Sequence, residues 1–338
     1  MYNSYMRFLI ATGIYPPEVG GPAQYAKNLA ESLREKGHQV DVGTFGALKK
    51  LPSGMRHLSL FFRLIPLTNR VDVVIALDTF SAALPALFAA KLFGTPLIVR
   101  TGGDFLWEQY VERTGDLVPL PFFYEKHRTF SLKERMYFAL TKLLLRHATI
   151  VFSSVFQRDI WVRAYGLDTA KTCLIENAVS GALRETHTPV EKNFLAFGRD
   201  IKLKNTPHLY EAFTIAQQKV PGIVLETGQM PHKELMDKIS HCYAVILPSI
   251  SEVSPNYILD AIRSGKPFIL TKYSEYARLY GDLGLIVDPL DVNDIAEKIV
   301  QMCDEVTHAE LSRRISTRLL TRTYAELADD FVGLVKTL

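Results

Sequence analysis

The residues best suited to chemistry lie in one stretch, Pro248-Ser249-Ile250-Ser251-Glu252-Val253-Ser254-Pro255-Asn256, which follows an apolar run from Tyr243 to Leu247. These residue types predict a strand, a polar loop and a short helix, with Ser254 at the N-cap, Pro255 at the first helical position and Gly265 just past the end. The first N–H groups of such a helix have no intrahelical partner and carry the positive end of its dipole, so a phosphate is the natural guest. Glu252 stands at the same mouth, where it would repel a bare phosphate. Its expected partners are hydroxyls, as on a sugar attached to that phosphate.

A second constellation, Gly198-Arg199-Asp200-Ile201-Lys202-Leu203-Lys204, follows the apolar run from Asn193 to Phe197. Arg199 leaves the strand with a planar fork of donors, and Lys204 arrives one loop later as a point charge, just before a helix starting near Pro207. Such a pair suits a diphosphate. Nearer the start, Gly20-Gly21-Pro22 opens a helix from about Ala23 to Lys36. Adjacent glycines there admit close approach of backbone to a ligand, or serve a turn that needs positive φ. Neither a G-x-G-x-x-G turn nor a G-x-x-x-x-G-K-[ST] loop is present, which argues against a dinucleotide or nucleoside triphosphate site of those kinds. Asp104, in the segment Arg100–Gln109 after another strand, reads either as a hydrogen-bond acceptor for a substrate hydroxyl or as the cap of the helix holding Trp107. His127, His147 and His208 have no ligand spacing and read as surface or core groups, and Cys173, Cys242 and Cys303, far apart in the chain, read as reduced thiols. No metal site is expected.

Short apolar strands must position these groups. Their expected spans are Arg7–Ala11, Gln39–Thr44, Val71–Ala76, Pro96–Arg100 and Thr149–Ser153, then Asn193–Phe197, Ile223–Glu226, Tyr243–Leu247, Pro267–Thr271 and Gly284–Val287. Strands this apolar, joined by helix-length connections, predict parallel sheets covered on both faces. The expected architecture is α/β, with two doubly wound Rossmann-like domains facing each other across a cleft and ligands at the carboxyl ends of the strands. Expected boundaries are residues 1–178, 179–320 and a last helix, 321–338, crossing back to the first domain. The junction falls between Asn177 and Asn193, where Ser180, Gly181, Thr186, Thr188 and Pro189 break the periodicity.

A chain of 338 residues can bury two cores of ordinary size, and 48% apolar with 22% charged residues is the composition of a globular protein. No uncharged apolar run approaches the ~18 residues of a membrane span. The run from Arg7 to Ile14 leads into a glycine loop, as a first strand would, so a cytoplasmic location is expected. Net charge is only +3 but unevenly spread: Lys49, Lys50, Arg56 and Arg70 flank the greasy run Leu58–Leu67, which itself holds Arg63, and there is no acid from Lys49 to Arg70. This segment suits either an anionic membrane surface, giving a peripheral position on the inner face, or an amphipathic helix with a solvated basic edge. No nucleic-acid partner is expected.

Gly198-Arg199 with Lys204, followed by Pro248-Ser249, Glu252 and a carboxylate eight positions later at Asp260, resembles the C-terminal half of GT-B glycosyltransferases, more narrowly the retaining family four. Gly13-Ile14-Tyr15-Pro16-Pro17 with Gly20-Gly21-Pro22, and Gly284-Leu285-Ile286-Val287-Asp288-Pro289, resemble the same family, so the likeness spans nearly the whole chain. It implies that Arg199 and Lys204 hold the diphosphate of a sugar nucleotide, with Gly198, Gly20 and Gly21 beside the donor. It further implies that Glu252 lies by the donor sugar, that Val253 to Asn256 cap its phosphates, and that Asp260, where the family usually has Glu, meets the ribose. No cofactor or metal is implied. The implied substrates are a UDP- or GDP-type sugar and a saccharide or lipid-linked acceptor of cell-surface polysaccharide or glycolipid synthesis. Between Pro221 and His232 the family fits an extra strand–helix unit that this chain lacks, so the second sheet should be smaller. A sugar-nucleotide epimerase of the same fold, or a catalytically silent nucleotide-binding scaffold, are the alternatives.

Overall fold

The computed structural model describes residues 5–18, 20–125, 129–179, 187, 189, 191–318 and 320–338. His127 and the junction residues Ser180, Gly181, Thr186 and Thr188 lie outside them. The chain divides into two compact units, residues 1–106 with 129–178 and 322–338, and residues 107–128 with 179–321.

The first unit is built on a six-stranded parallel sheet of β1 (Arg7–Thr12), β2 (Gln39–Thr44), β3 (Val73–Ala76), β4 (Leu97–Thr101), β5 (Thr149–Phe152) and β6 (Thr172–Leu174), in the order β2-β1-β3-β4-β5-β6. Its central strands are buried on both faces, which is why Phe8-Leu9-Ile10-Ala11 of β1 reads as an unbroken apolar run, each residue 0% exposed. Helices α1 (Gly21–Glu35), α2 (Ser53–Thr68) and α3 (Ala83–Phe93) follow the first three strands. Next in the chain come α4 (Phe105–Thr114) and α5 (Leu120–Phe123), which from residue 107 onward belong to the second unit, and then the first unit's α6 (Leu132–Arg146) and α7 (Val155–Tyr165). The edge strand β6 was not expected, because three residues with a central Cys carry no alternation.

The second unit holds a five-stranded parallel sheet, in the order β11-β10-β9-β7-β8. Its strands are β7 (Asn193–Phe197), β8 (Val224–Gly228), β9 (Ala244–Leu247), β10 (Phe268–Thr271) and β11 (Gly284–Val287). It is one strand smaller than the first, in line with the short connection before His232. Its helices are α8 (Thr206–Lys219), α9 (His232–His241), α10 (Asn256–Arg263), α11 (Glu275–Tyr280), α12 (Val292–Met302) and α13 (Glu305–Ser316). Successive strand residues point to opposite faces. Phe194, Ile246 and Ile269 accordingly pack with Leu209 and Phe213 of α8 and Ile295 and Ile299 of α12. Leu195, Val245 and Leu270 pack with Ile239 of α9 and Ile258 and Ile262 of α10.

Residues 107–128 group with the second unit rather than the first, where the sequence had put them. Polar and aromatic contacts hold them there: on α4 Glu108 pairs with Arg199 and Glu112 accepts from the Lys202 N–H, at the start of α5 the Leu120 N–H donates to Ser251 Oγ at 3.0 Å, and the Phe122 ring meets Tyr273 edge-on.

The last helix, α14 (Tyr324–Val335), starts with a capping box in which Thr323 and Glu326 bond each other's backbone N–H. It lays Leu327, Ala328, Phe331 and Val332 into the first unit's core against Tyr25, Leu29 and Leu33 of α1. Phe331 is fully buried there. Phe331→Ala should therefore lower stability by about 3–5 kcal/mol, read as an earlier urea midpoint.

Candidate active site

Open parallel sheets bind ligands where the strand order reverses, because loops leaving the two neighbouring strands run apart there. In the second unit that point lies between β7 and β9. The loops that follow these strands are Gly198–Asn205 and Pro248–Pro255, which carry most of the residues marked by the sequence. In the first unit the corresponding point lies between β1 and β3, and the loop after β1 ends in Gly20-Gly21.

At the second unit's reversal, Lys204 Nζ meets Glu252 Oε1 at 2.5 Å, with the side chains 25% and 16% exposed. The aliphatic stem of Lys204 runs past Gly198, where an added Cβ would stand 3.3 Å from Lys204 Cε, so the glycine makes room for the lysine. A backbone bond ties the two loops together, Ile250 N–H donating to Leu203 O at 2.9 Å, and Glu252 N–H donates at 3.0 Å to Tyr273 O in the loop after β10. Asn205 anchors the cluster. It is buried, left-handed (φ 59°), and the only such non-glycine residue among those described. Its Nδ2 donates to Pro248 O at 3.1 Å and to Pro289 O at 2.6 Å, tying together the loops after β7, β9 and β11.

Arg199 is mostly exposed and makes a two-pronged contact with Glu108, at 3.2 and 3.5 Å. Four residues along the same face of α4, Glu112 Oε1 accepts from Lys202 N–H at 2.6 Å and its carbonyl from Lys202 Nζ at 2.7 Å. Sequence reasoning missed this carboxylate pair, although its i,i+4 spacing on a helix was a usable signal.

It also missed Lys272, just past the end of β10 and so on the same carboxyl edge as Lys204. Lys272 Nζ bonds Asp288 at 2.7 Å, and that bond raises the lysine pKa above its ordinary value.

The helix after Glu252 begins one residue later than expected. Pro255 has φ −74° and ψ 110°, an extended conformation, so it takes the N-cap and Asn256 becomes the first helical residue, while Ser254 stands outside. Gly265 is left-handed just past the C-cap, as its position in the sequence suggested. Asp260, on α10, is nearly buried and bonds His232 Nε2, at the start of α9, at 2.9 Å.

In the first unit, α1 begins without a side-chain cap, and Gly20 before it has φ 149°. Asp104 is only 2% exposed, and its Oδ2 accepts from Trp161 Nε1 at 2.8 Å. Burial and that bond make it a group that ties the loop after β4 to α7, not one that reaches a substrate hydroxyl. Among the described residues, no three His, Cys, Asp or Glu side chains cluster as a metal site, and no helix is long and apolar enough to cross a membrane.

The two parallel-sheet units, with cations on the carboxyl edge of the second, have the form of a GT-B glycosyltransferase. Residues 176–305 match the profile described as Glycosyl transferases group 1, and residues 19–181 match Glycosyltransferase Family 4. The chain belongs to the group 1, family 4 glycosyltransferases. HepE of Anabaena in complex with UDP-glucose is 16% identical, with 99% of this chain and 100% of that one covered and a TM-score of 0.71. Sucrose-phosphate synthase of Thermosynechococcus elongatus is 15% identical over 98% of each chain, at a TM-score of 0.75. WaaG, a glycosyltransferase involved in lipopolysaccharide biosynthesis, is 14% identical over 97% of this chain and 99% of its own, at 0.68. At such identities the likeness is one of fold. No curated protein matches the chain.

Asn205→Gly and Asn205→Ala both remove the two side-chain bonds, but only alanine also bears the left-handed backbone. The alanine variant should be roughly 1 kcal/mol less stable than the glycine variant in urea unfolding.

Proposed function

We propose that this enzyme moves a hexose from a nucleoside-diphosphate sugar, of the UDP or GDP type, to a saccharide or lipid-linked acceptor with retention of anomeric configuration. The pathway we propose is cell-surface polysaccharide or glycolipid synthesis. One observation carries the reading: Arg199 and Lys204 leave one strand of the reversal point, while Glu252 and the start of α10 follow the other. The UDP and UDP-glucose complexes of HepE support the donor class.

In such a transfer the sugar becomes oxocarbenium-like while negative charge builds on the leaving diphosphate. Groups aimed at that charge bind the transition state more tightly than the ground state. A donor diphosphate exchanges with Glu108 for the fork of Arg199 and shares Lys204 with Glu252, whose carboxylate then faces the sugar hydroxyls. The first-turn N–H groups of α10, from Asn256 onward, cap the phosphates with Ser254 and Pro255 alongside, and Asp260 reaches toward the ribose with His232 holding its carboxylate. The leaving phosphate takes the acceptor proton on the face it departs from, which accounts for retention. Cations and helix dipole together neutralise the diphosphate, so the chemistry runs without a metal or other cofactor. Gly20 and Gly21, at the uncapped start of α1, admit close approach of backbone to a ligand at the first unit's own reversal point.

A peripheral position on an anionic membrane at the cytoplasmic face completes the proposal. Leu60 and Leu64 of α2 are fully buried, whereas Met55, Leu58 and Phe62 are 57%, 57% and 60% exposed beside the exposed Arg63. Arg70 is exposed just beyond the helix; of Lys49 only the backbone is described. Buried apolar area plus basic charge is what holds a helix on anionic lipid.

Lys204→Ala should lower kcat for donor turnover by roughly 10² or more, the scale for one preorganised charge donor. Turnover equal to wild type would remove Lys204 from the mechanism, and release of nucleotide with free modified sugar in the absence of acceptor would identify an epimerase instead. Phe62→Glu should weaken sedimentation with phosphatidylglycerol vesicles while leaving donor hydrolysis unchanged; unaltered sedimentation would discard the membrane contact.

A further inference from the structure

The first unit has a cavity of about 280 Å³ at the amino ends of β5 and β6, the end of the sheet opposite to its ligand-binding loops. Its apolar floor is Leu145, Ile150 and Tyr165, each at most 3% exposed. Its rim carries Lys142 and Arg146 from the last turns of α6 and Lys171 from the short turn before β6. None of these three cations has an ion pair or side-chain hydrogen bond among the described residues. The single acid in the lining, Asp168, is occupied locally, its Oδ1 accepting from Ala170 N–H at 3.0 Å.

A helix C-terminus is complemented by one nearby cation, and the effect fades within a turn. Convergence of three unpaired cations on one concave site, against a single engaged carboxylate, leaves a positive field that only an incoming anion would balance. The volume limits the guest. Ligand pockets for drug-sized molecules run from about 300 Å³ upward, so this cavity has room for a phosphate with a small body and none for a nucleotide. The apolar floor suits the carbon side of such a body, and the guanidinium of Arg146 can grip two phosphate oxygens at once.

We propose that this cavity is a second anion site, which takes a phosphate group carried either on a small soluble molecule or on a lipid headgroup. It lies away from the loops after β1, β3 and β4, so it acts as an anchoring or regulatory site rather than as part of the donor site.

The full chain carrying Arg199→Gln and Lys204→Gln, which weakens phosphate binding at the donor edge, is the background for the test. Calorimetric titration with inorganic phosphate, and co-sedimentation with phosphatidylcholine vesicles containing phosphatidic acid, are compared with and without Arg146→Gln plus Lys171→Gln. Both of these residues are exposed, so the substitutions leave the core intact. The added pair should weaken binding at least tenfold, and Arg146→Lys with Lys171→Arg should restore most of it. Weakening for free phosphate assigns a soluble ligand, and weakening for vesicles alone assigns a lipid headgroup. Equal binding with and without the pair, or no binding of either probe by the background protein, overturns the proposal.

Discussion

The ion pair between Lys204 and Glu252 is the constraint around which the second unit's edge is organised. Both groups are largely withdrawn from water, so each depends on the other for compensation of its lost hydration. The pair can form only because two parallel strands, adjacent in the sheet but not in sequence, send their loops toward the same point. A Cβ at Gly198 would crowd the lysine stem, and Asn205 turns left-handed just before the helix that follows it. A partner anion that replaces or joins Glu252 keeps the lysine compensated, which is the physical basis for reading this edge as a phosphate site.

Charges at this edge come in matched sets. Arg199 has Glu108, Lys204 has Glu252 and Lys272 has Asp288, while Glu112 holds the backbone of the loop that carries the two cations nearest the strand. Each carboxylate fixes the orientation of a cation without burying it fully. A flexible lysine or arginine left alone would lose rotamer freedom on meeting a ligand, and the paired arrangement has already taken that entropy cost in folding.

Most of the architecture was legible because parallel strands buried on both faces leave continuous apolar runs, as in Phe8 to Ala11 and Ala244 to Leu247. Gly265 could be read as a helix stop, since a left-handed residue is needed there and glycine supplies it freely. What escaped reading has equally specific causes. β6 is too short to show a pattern. The start of α10 slipped by one residue because Pro255 adopts an extended backbone that serves as a cap. Pairings such as Glu108 with Arg199, or His232 with Asp260, join residues 91 and 28 positions apart, and no local pattern encodes them. Asp104 carried two readings, substrate acceptor or helix cap; it stands directly before α4 and accepts from a buried indole N–H, which is a structural role.

The return of the final helix into the first unit has a bearing on how the polypeptide matures. Leu327 and Phe331 complete a core whose earlier members, from Phe8 to Ala178, emerge from the ribosome much sooner. The first sheet must therefore wait, incompletely covered, while most of the second unit, residues 179–321, is synthesised. The half made later has all its own parts and can close first, so the order of assembly runs against the order of translation.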